Sequence, residues 1–457
     1  MTTVLLDSCE FVVTVDDDVS AGGAGTEIAG GSILIEDGVI AWVGTGAPPA
    51  EPDERIDGRG TIALPGLVNT HHHLYQTLTR ARAQDEGLFG WLTALYPVWA
   101  HLDPEWERAA TRVGLAQLAL AGCSMSTDHH YLNPPGAGDL LEAEIEAAHG
   151  LGIRFHPCRG SMDMGESNGG LPPDSVVEST DDVLARSQEA VERFHDPSPG
   201  SMLRIAIAPC TPFTVTDRLM RESAELARRL GVLLHTHLAE TLDEERFCLE
   251  RTGRRPLELM DEWGWLGEDV WFAHAIHLNE DDVRRIGRSR SGIASCPSSN
   301  LRLGAGIAPV RSLVDRGARV GLGVDGPASN EASDLFGEIR QAVFVSRAGG
   351  PERGLRAREA LRLATRGGAE VLGRDDVGSI EPGMRADLAL FAVDGIAHAG
   401  TDADPVGGLL LGPSQRVRHL IVEGSAVVRD GRLITANEEE IAREGHRVGR
   451  RIWETAG

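Results

Sequence analysis

Three consecutive histidines, His71 to His73, follow the apolar stretch LPGLVN at residues 64–69. Side chains alternate along an extended chain, so His71 and His73 share one face and His72 takes the other. Two imidazoles about 6.6 Å apart along a strand can converge on one metal ion. An isolated HxH pair is weak evidence for such a site, because a polar HHH can also simply end a strand.

Other segments supply side chains of the same kind. HTHLAE contains His237, with His235 two residues before it, and FAHAIH contains His274. Asp325 follows the apolar run GLGV and precedes a glycine. Imidazoles and one carboxylate around an ion with an open coordination position form the arrangement of a catalytic hydrolytic zinc site. The residues therefore predict one divalent metal ion, for which zinc fits best and iron(II) is also compatible.

These side chains need a scaffold that brings distant segments to one edge. Short apolar strand candidates alternate with longer amphipathic segments, of which residues 217–230 have leucine and alanine at helical spacing. Eight strands that alternate with helices predict a (β/α)8 TIM-like barrel, whose active sites lie at the carboxyl ends of the strands. The strand candidates are residues 62–73, 123–130, 153–160, 203–210, 232–240, 270–278, 292–300 and 319–326.

The two ends of the chain have a different pattern. Residues 1–61 and 378–457 contain short alternating strands, and SILIEDGVIAWVG at 32–44 predicts a hairpin with Asp-Gly at its turn. We expect both ends to form one small β-sandwich beside a metal-dependent hydrolase barrel of residues 62–377. Two separate terminal segments that do not pack against each other would give the same sequence pattern.

The composition restricts both partners and chemistry. A net charge of −25 disfavours binding to nucleic acid. No apolar run approaches 20 residues and the first residues lack a basic signal-peptide start, so we expect a cytoplasmic protein without a membrane partner. All 44 basic residues are arginine, which excludes a carbamylated lysine that bridges two metal ions.

Six scattered cysteines indicate reduced thiols. The oligomeric state is left open, and a homodimer is compatible with the sequence.

The chain resembles the amidohydrolase superfamily, in particular its mononuclear aminohydrolase branch. The resemblance covers nearly the whole chain and is carried by the motifs PGLVNTHHH, HTHLAE, AHAIHL, CPSSNLRL and GVDGPASN. It implies that the metal ligands are His71, His73, His237 and Asp325. It places His274 beside the metal-bound water, and direct binding of His274 to the ion is the alternative.

The resemblance also implies how such a site would deaminate a ring. A bound zinc ion lowers the pKa of its water towards 7, so that hydroxide is available for attack. Glu240, three residues after His237, would act as the general acid that protonates the ring nitrogen. Asp325 would pass the proton of the water to the departing ammonia, and His274 would orient the water.

Longer segments resemble the 8-oxoguanine deaminases. They include NTHHHLYQTLTRA, STDHHYL, GGLPPDSVVE and APCTPFTV. This resemblance implies hydrolysis of the 2-amino group of 8-oxoguanine, a small heterocyclic substrate, to urate and ammonia. Two departures from the pattern, Pro327 and Glu331, lie just beyond Asp325.

A flat oxopurine needs hydrogen-bonding groups at its edges and an apolar slot for its faces. The candidate contacts are Gln76, Trp91, Tyr96, His129, Cys210 and Asn330, and structural roles explain most of them equally well. Guanine, isocytosine, a pterin or an s-triazine remain alternative substrates. A non-catalytic purine-binding barrel is a further alternative, but a mere binder needs no general acid such as Glu240.

Overall fold

In the computed structural model, which describes residues 3–17 and 25–456, eight parallel strands form the sheet that carries the histidines. Each strand pairs with the next one along the chain. The Thr70 N–H donates to the Leu322 carbonyl at 3.0 Å, so the first and last strands also meet. The predicted (β/α)8 barrel is therefore confirmed. Its strands are Leu67–Asn69, Cys123–His130, Arg154–Ser161, Ala206–Pro209, Leu234–Leu238, Val270–His274, Gly292–Ser295 and Arg319–Leu322.

Helices alternate with these strands. The helix predicted at 217–230 is present as Asp217–Leu230, with Thr216 capping its N-terminus and Gly231 ending it in the left-handed conformation. A helix long and apolar enough to span a membrane does not occur in the described ranges. The other α-helices there are Leu88–Trp99, Pro104–Leu120, Leu140–Leu151, Thr180–Phe194, Leu242–Thr252, Pro256–Glu262, Glu280–Ser289, Pro297–Arg302, Val310–Asp315, Leu335–Ser346, Ala357–Ala364, Arg366–Val371, Pro405–Leu411 and Glu438–Ala456.

Two further sheets lie outside the barrel: one comes from the N-terminal residues alone, and the other combines strands from both ends of the chain. Buried side chains such as Leu6, Ile33 and Leu390 pack between them in one apolar cluster. The predicted hairpin turns at Asp37 and Gly38, which both have positive φ. The four-stranded sheet contains Thr3–Asp7, Ser32–Glu36, Val39–Gly44 and Glu54–Asp57. The seven-stranded sheet contains Phe11–Val13, Glu27–Ala29, Thr61–Pro65, Leu388–Ala392, His419–Val422, Ser425–Arg429 and Arg432–Leu433.

The segment predicted as a single strand, residues 62–73, is divided between two sheets. Thr61–Pro65 pairs with Leu388–Ala392 in the terminal sheet, whereas Leu67–Asn69 is the first strand of the barrel. Gly66 lies between them, where a side chain would collide with Ser124. A Pro-Gly step thus moves the chain from one sheet to the other, one short strand before the histidines.

A buried ion pair joins the barrel to the terminal sheets at the amino ends of the strands. Arg154, the first residue of the third barrel strand, donates to both carboxylate oxygens of Asp387 at 2.8 and 3.0 Å. Its guanidinium also donates to the Gly200 and Ser201 carbonyls and to Glu423. The bidentate geometry fixes the base of the barrel against the sandwich.

Candidate metal centre and active site

His71 and His73 lie just beyond the first barrel strand, at the carboxyl ends of the strands. Their ring centroids are 4.7 Å apart, and both side chains are buried. His72 points away from them, and its Nε2 lies 3.3 Å from the Ser333 hydroxyl oxygen. The backbone here still accepts hydrogen bonds from both sides, from His129 N–H to the His72 carbonyl and from Asp325 N–H to the His71 carbonyl, and the predicted alternation of the three side chains is present.

His237 and Asp325 join this pair from the fifth and eighth strands. The Nε2 atoms of His73 and His237 are 3.2 Å apart. Asp325 Oδ1 lies 3.4 Å from Nε2 of His71 and 3.4 Å from Nε2 of His73. The structure thus brings together the four side chains that the sequence selected as metal ligands.

The second ring nitrogen of each imidazole is held by a fixed partner. His73 Nδ1 lies 2.8 Å from the His129 carbonyl oxygen, and His237 Nδ1 lies 2.7 Å from the Cys210 carbonyl oxygen. A carbonyl only accepts, so each Nδ1 carries the hydrogen and each Nε2 presents a lone pair. Burial, the largest influence on both rings, lowers the pKa of His73 and lowers that of His237 to about 3, so both are neutral at pH 7.

His71 is oriented by a second histidine. Its Nδ1 lies 2.8 Å from Nε2 of His235, whose own Nδ1 lies 3.0 Å from the Trp271 carbonyl oxygen. His235 must donate to that carbonyl, so its Nε2 accepts and His71 Nδ1 donates. His71 Nε2 is left without a hydrogen-bond partner among the described residues.

Lone pairs and a carboxylate oxygen therefore face one another at 3.2–3.4 Å with no hydrogen between them. Such an arrangement is repulsive in a buried site unless a cation occupies its centre. Neutral imidazoles and a carboxylate are the ligands that a divalent zinc ion prefers. The residues present fit one such ion.

The backbone of Asp325 is strained, and hydrogen bonds fix its carboxylate. Its φ is +64°, a left-handed conformation that is rare for a residue other than glycine. Its Oδ2 accepts from the Ser299 hydroxyl, and its Oδ1 accepts from the Gly326 N–H at 2.6 Å. A side chain at Gly326 would collide with the Gln76 amide, so this glycine lets Gln76 approach the backbone next to Asp325.

Glu240 and His274 stand beside the ligand set. His274 Nε2 is 3.8 Å from Glu240 Oε2 and 3.9 Å from Asp325 Oδ2. Burial raises the pKa of Glu240 to about 7, helped by the charge of Asp325 and opposed by His274. A carboxyl group with that pKa can both hold and release a proton at neutral pH.

The backbone that carries Glu240 is fixed by another buried carboxylate. Glu244 accepts from the N–H groups of Ala239 and Glu240, both at 2.8 Å. Ala239 has a φ of +49°, so the chain turns sharply between His237 and Glu240. Glu244 lies in the first turn of helix Leu242–Thr252 and is placed to hold that turn.

A cavity opens over these groups. Its wall includes the aromatic rings of Trp91, Tyr96, Tyr131 and Phe213. Gln76 also lines it, with a buried Oε1 that has no partner in the described chain. The lining residues include no arginine. A flat neutral ring fits this wall better than a phosphorylated ligand.

The predicted substrate contacts are placed unequally. Trp91, Tyr96 and Cys210 line the cavity with Gln76, and burial raises the pKa of the Cys210 thiol, which disfavours a nucleophilic role. His129 and Asn330 are not among the lining residues. His129 Nε2 bonds the Ala208 carbonyl, and Asn330 bonds the Val324 carbonyl and Glu338, so both tie loops and strands together.

Several residues at this site were not selected from the sequence. Tyr131 and Phe213 belong to the cavity wall, and Ser299 and Glu244 support Asp325 and Glu240. His235 could have been identified from the HTH segment, because side chains alternate along a strand and His235 therefore lies on the same face as His237. No local pattern identifies the others, since their partners are distant in the sequence.

Comparison with known proteins was consistent with this geometry. A sequence model of the amidohydrolase family matches residues 62–427. An 8-oxoguanine deaminase from Pseudomonas aeruginosa is 48% identical over 408 residues, which cover 88% of this chain and 90% of the relative. A hydroxydechloroatrazine ethylaminohydrolase from Pseudomonas sp. strain ADP is 35% identical, with 99% of this chain and 96% of the relative covered.

Solved structures also match this chain over most of its length. An atrazine chlorohydrolase from Arthrobacter aurescens TC1, crystallised in complex with zinc, superposes with a TM-score of 0.93 at 35% identity. The match covers 98% of this chain and 100% of that one.

Proposed function

Because this chain belongs to the amidohydrolase family of hydrolases, we propose that it is a metal-dependent deaminase of heterocyclic rings. The proposed reaction is hydrolysis of the 2-amino group of 8-oxoguanine, which with one water gives urate and ammonia. The observation that carries the choice of ring is the 48% identity to an 8-oxoguanine deaminase across most of both chains.

His71, His73, His237 and Asp325 would hold one divalent ion, and zinc suits this donor set. The lone pairs that converge without a hydrogen between them support this assignment. When bound, the ion would activate a water molecule for attack on the ring carbon that bears the amino group.

The neighbouring side chains then move protons. Glu240, with a pKa of about 7, would donate from its carboxyl group to the ring nitrogen next to the attacked carbon. Asp325 would take the proton of the water on a carboxylate oxygen and deliver it to the leaving amine. His274 Nδ1 lies 2.8 Å from Asn300 Oδ1, which fixes the ring so that Nε2 can orient the water.

The cavity supports a flat, uncharged substrate. Aromatic rings would cover the faces of an oxopurine, and the unpaired Gln76 Oε1 would accept from an N–H at its edge. The absence of arginine from the lining residues gives no site for a phosphate, which favours a free base over a nucleotide.

A substrate panel tests the proposal. Ammonia release is measured for 8-oxoguanine, guanine, isocytosine, isoxanthopterin and a hydroxy-s-triazine, with urate formation followed for the first. We expect the highest kcat/KM with 8-oxoguanine. No release from 8-oxoguanine together with turnover of another ring would overturn the choice of substrate. No release from any ring by the zinc-loaded protein would overturn the deaminase function itself.

A further inference from the structure

A second buried polar cluster lies outside the candidate active site, behind the second barrel strand. Glu107 comes from helix Pro104–Leu120, His130 ends strand Cys123–His130, and Glu144 comes from helix Leu140–Leu151. All three side chains are at most 1% exposed. His129, the residue before His130, has its ring among the active-site histidines, so alternation along the strand places His130 on the opposite face.

Five of the six side-chain polar atoms of this cluster lack hydrogen-bond partners in the described chain, and the sixth, Glu107 Oε1, accepts from the Thr111 hydroxyl at 3.2 Å. Both carboxylate oxygens of Glu144, both ring nitrogens of His130 and Oε2 of Glu107 accept or donate no hydrogen bond there. His130 Nδ1 lies 3.5 Å from Glu107 Oε2, and one ligand atom from each of the three residues lies within 4.8 Å of the others. Unpaired buried carboxylates are costly, so such a group needs a cation or bound protons.

We propose that Glu107, His130 and Glu144 bind a second divalent metal ion, separate from the ion at the barrel mouth. Two carboxylates balance the charge of such an ion, and a neutral imidazole supplies a nitrogen ligand. Oxygen-rich sites of this kind accept zinc, manganese or iron(II).

Asp128 lies beside this site, next to Glu144. It lies two residues before His130 on the same face of the strand, it is fully buried, and its Oδ2 has no partner in the described residues. Its Oδ1 accepts from the N–H of Leu74, the residue that follows His73. The second ion would therefore tie two helices to the second barrel strand, and Asp128 links that strand to the segment that carries the active-site histidines.

The competing arrangement is a cluster of protonated carboxyl groups. Burial raises the pKa of Asp128 to about 8 and raises the pKa values of Glu107 and Glu144 well above their usual range. Without an ion, a proton shared between Asp128 and Glu144 would satisfy part of the cluster. The two arrangements differ in the number of metal ions that the protein holds.

The test is metal stoichiometry. The purified protein is stripped with a chelator, dialysed against Zn²⁺ or, in parallel, Mn²⁺, and freed of excess ion before elemental analysis. We expect two ions per wild-type chain and one per Glu144→Gln chain. Because the mouth keeps its ion, turnover of Glu144→Gln should stay within about threefold of wild type.

The matched control is Glu146→Gln, on the same helix but exposed and paired with Arg108, which should keep two ions. One ion per active wild-type chain, or two ions in Glu144→Gln, would overturn the proposal. A wild-type chain that holds two ions but releases no ammonia would count only against the proposed deaminase function. If Glu144→Gln does not fold, anomalous scattering from wild-type crystals decides: a peak among Glu107, His130 and Glu144 is expected, and its absence overturns the site.

Discussion

The two ends of the barrel strands handle buried charge in opposite ways. At the base, Arg154 meets Asp387 in a bidentate pair, and it also donates to Glu423 and to two backbone carbonyls. At the carboxyl ends of the strands, called the mouth of the barrel here, His71 and His73 present lone pairs to the carboxylate of Asp325 at 3.4 Å. The base is electrostatically complete within the polypeptide, whereas the mouth is complete only with a cation.

This difference separates stability from function. A paired buried charge is costly to break because its partner is left uncompensated. A converging set of acceptors gains little stability by itself, but it can bind an ion and place it beside a substrate cavity. Changes at the mouth should therefore reduce turnover with little unfolding, and changes at the base should do the reverse.

Removal of the metal should have the largest effect. Chelation should abolish turnover, because the water is no longer activated, and added Zn²⁺ should restore it. The far-ultraviolet circular dichroism should change little, since the base and the core do not depend on this ion. Full turnover by protein shown by elemental analysis to lack metal would contradict the proposed site.

Glu240→Gln should reduce kcat by about 10²–10⁴-fold, because the amide cannot donate the proton that a general acid supplies. Its metal content should equal that of wild type, since Glu240 is not one of the proposed ligands. Steady-state kinetics and elemental analysis check both points.

The control for this variant is Glu250→Gln, an exposed position on helix Leu242–Thr252, which should leave kcat unchanged. Wild-type turnover in Glu240→Gln would remove the general-acid role, and loss of metal would instead make Glu240 part of the ion site.

Much of the mouth could be predicted because it depends on local rules. Alternation along a strand pairs His71 with His73, and the carboxyl ends of parallel strands meet at one rim, which brings in His237 and Asp325. These rules can be applied to the sequence without knowing how the helices pack against the barrel. The residue types then define the chemistry.

The rest depends on tertiary contacts that no local pattern encodes. Glu107 and Glu144 read as ordinary polar positions on amphipathic helices, yet both are buried against the second strand. Arg154 and Asp387 are 233 residues apart. The division of residues 62–73 between two sheets was also missed, because a continuous apolar run gives no sign of where its hydrogen-bonding partner changes.

His235 should have an intermediate effect, because it acts on the mouth through His71. His235→Leu removes the acceptor of His71 Nδ1, so that this ring is no longer fixed with its lone pair towards the ion. Loss of such a partner typically weakens metal affinity by about 10–100-fold. Competition with a zinc chelator measures that loss, and kcat should recover at saturating Zn²⁺.

Partial recovery in His235→Gln, whose amide oxygen can accept from His71, would separate this positioning role from packing against Trp271. The exposed His149→Gln serves as the control and should bind zinc like wild type. Unchanged zinc affinity in His235→Leu would show that His71 needs no support.

Arg154→Met should change turnover least and stability most. It leaves Asp387 buried without its cation, which should cost about 3–5 kcal/mol and lower the urea midpoint of unfolding. Because Arg154 lies at the opposite end of the strands from His71, kcat at low temperature should equal that of wild type. The control is Arg447→Met, which breaks an exposed pair with Glu105 and should cost about 0–1 kcal/mol. A large fall in kcat without a fall in the midpoint would mean that the base and the mouth are coupled, and that the separation between them is wrong.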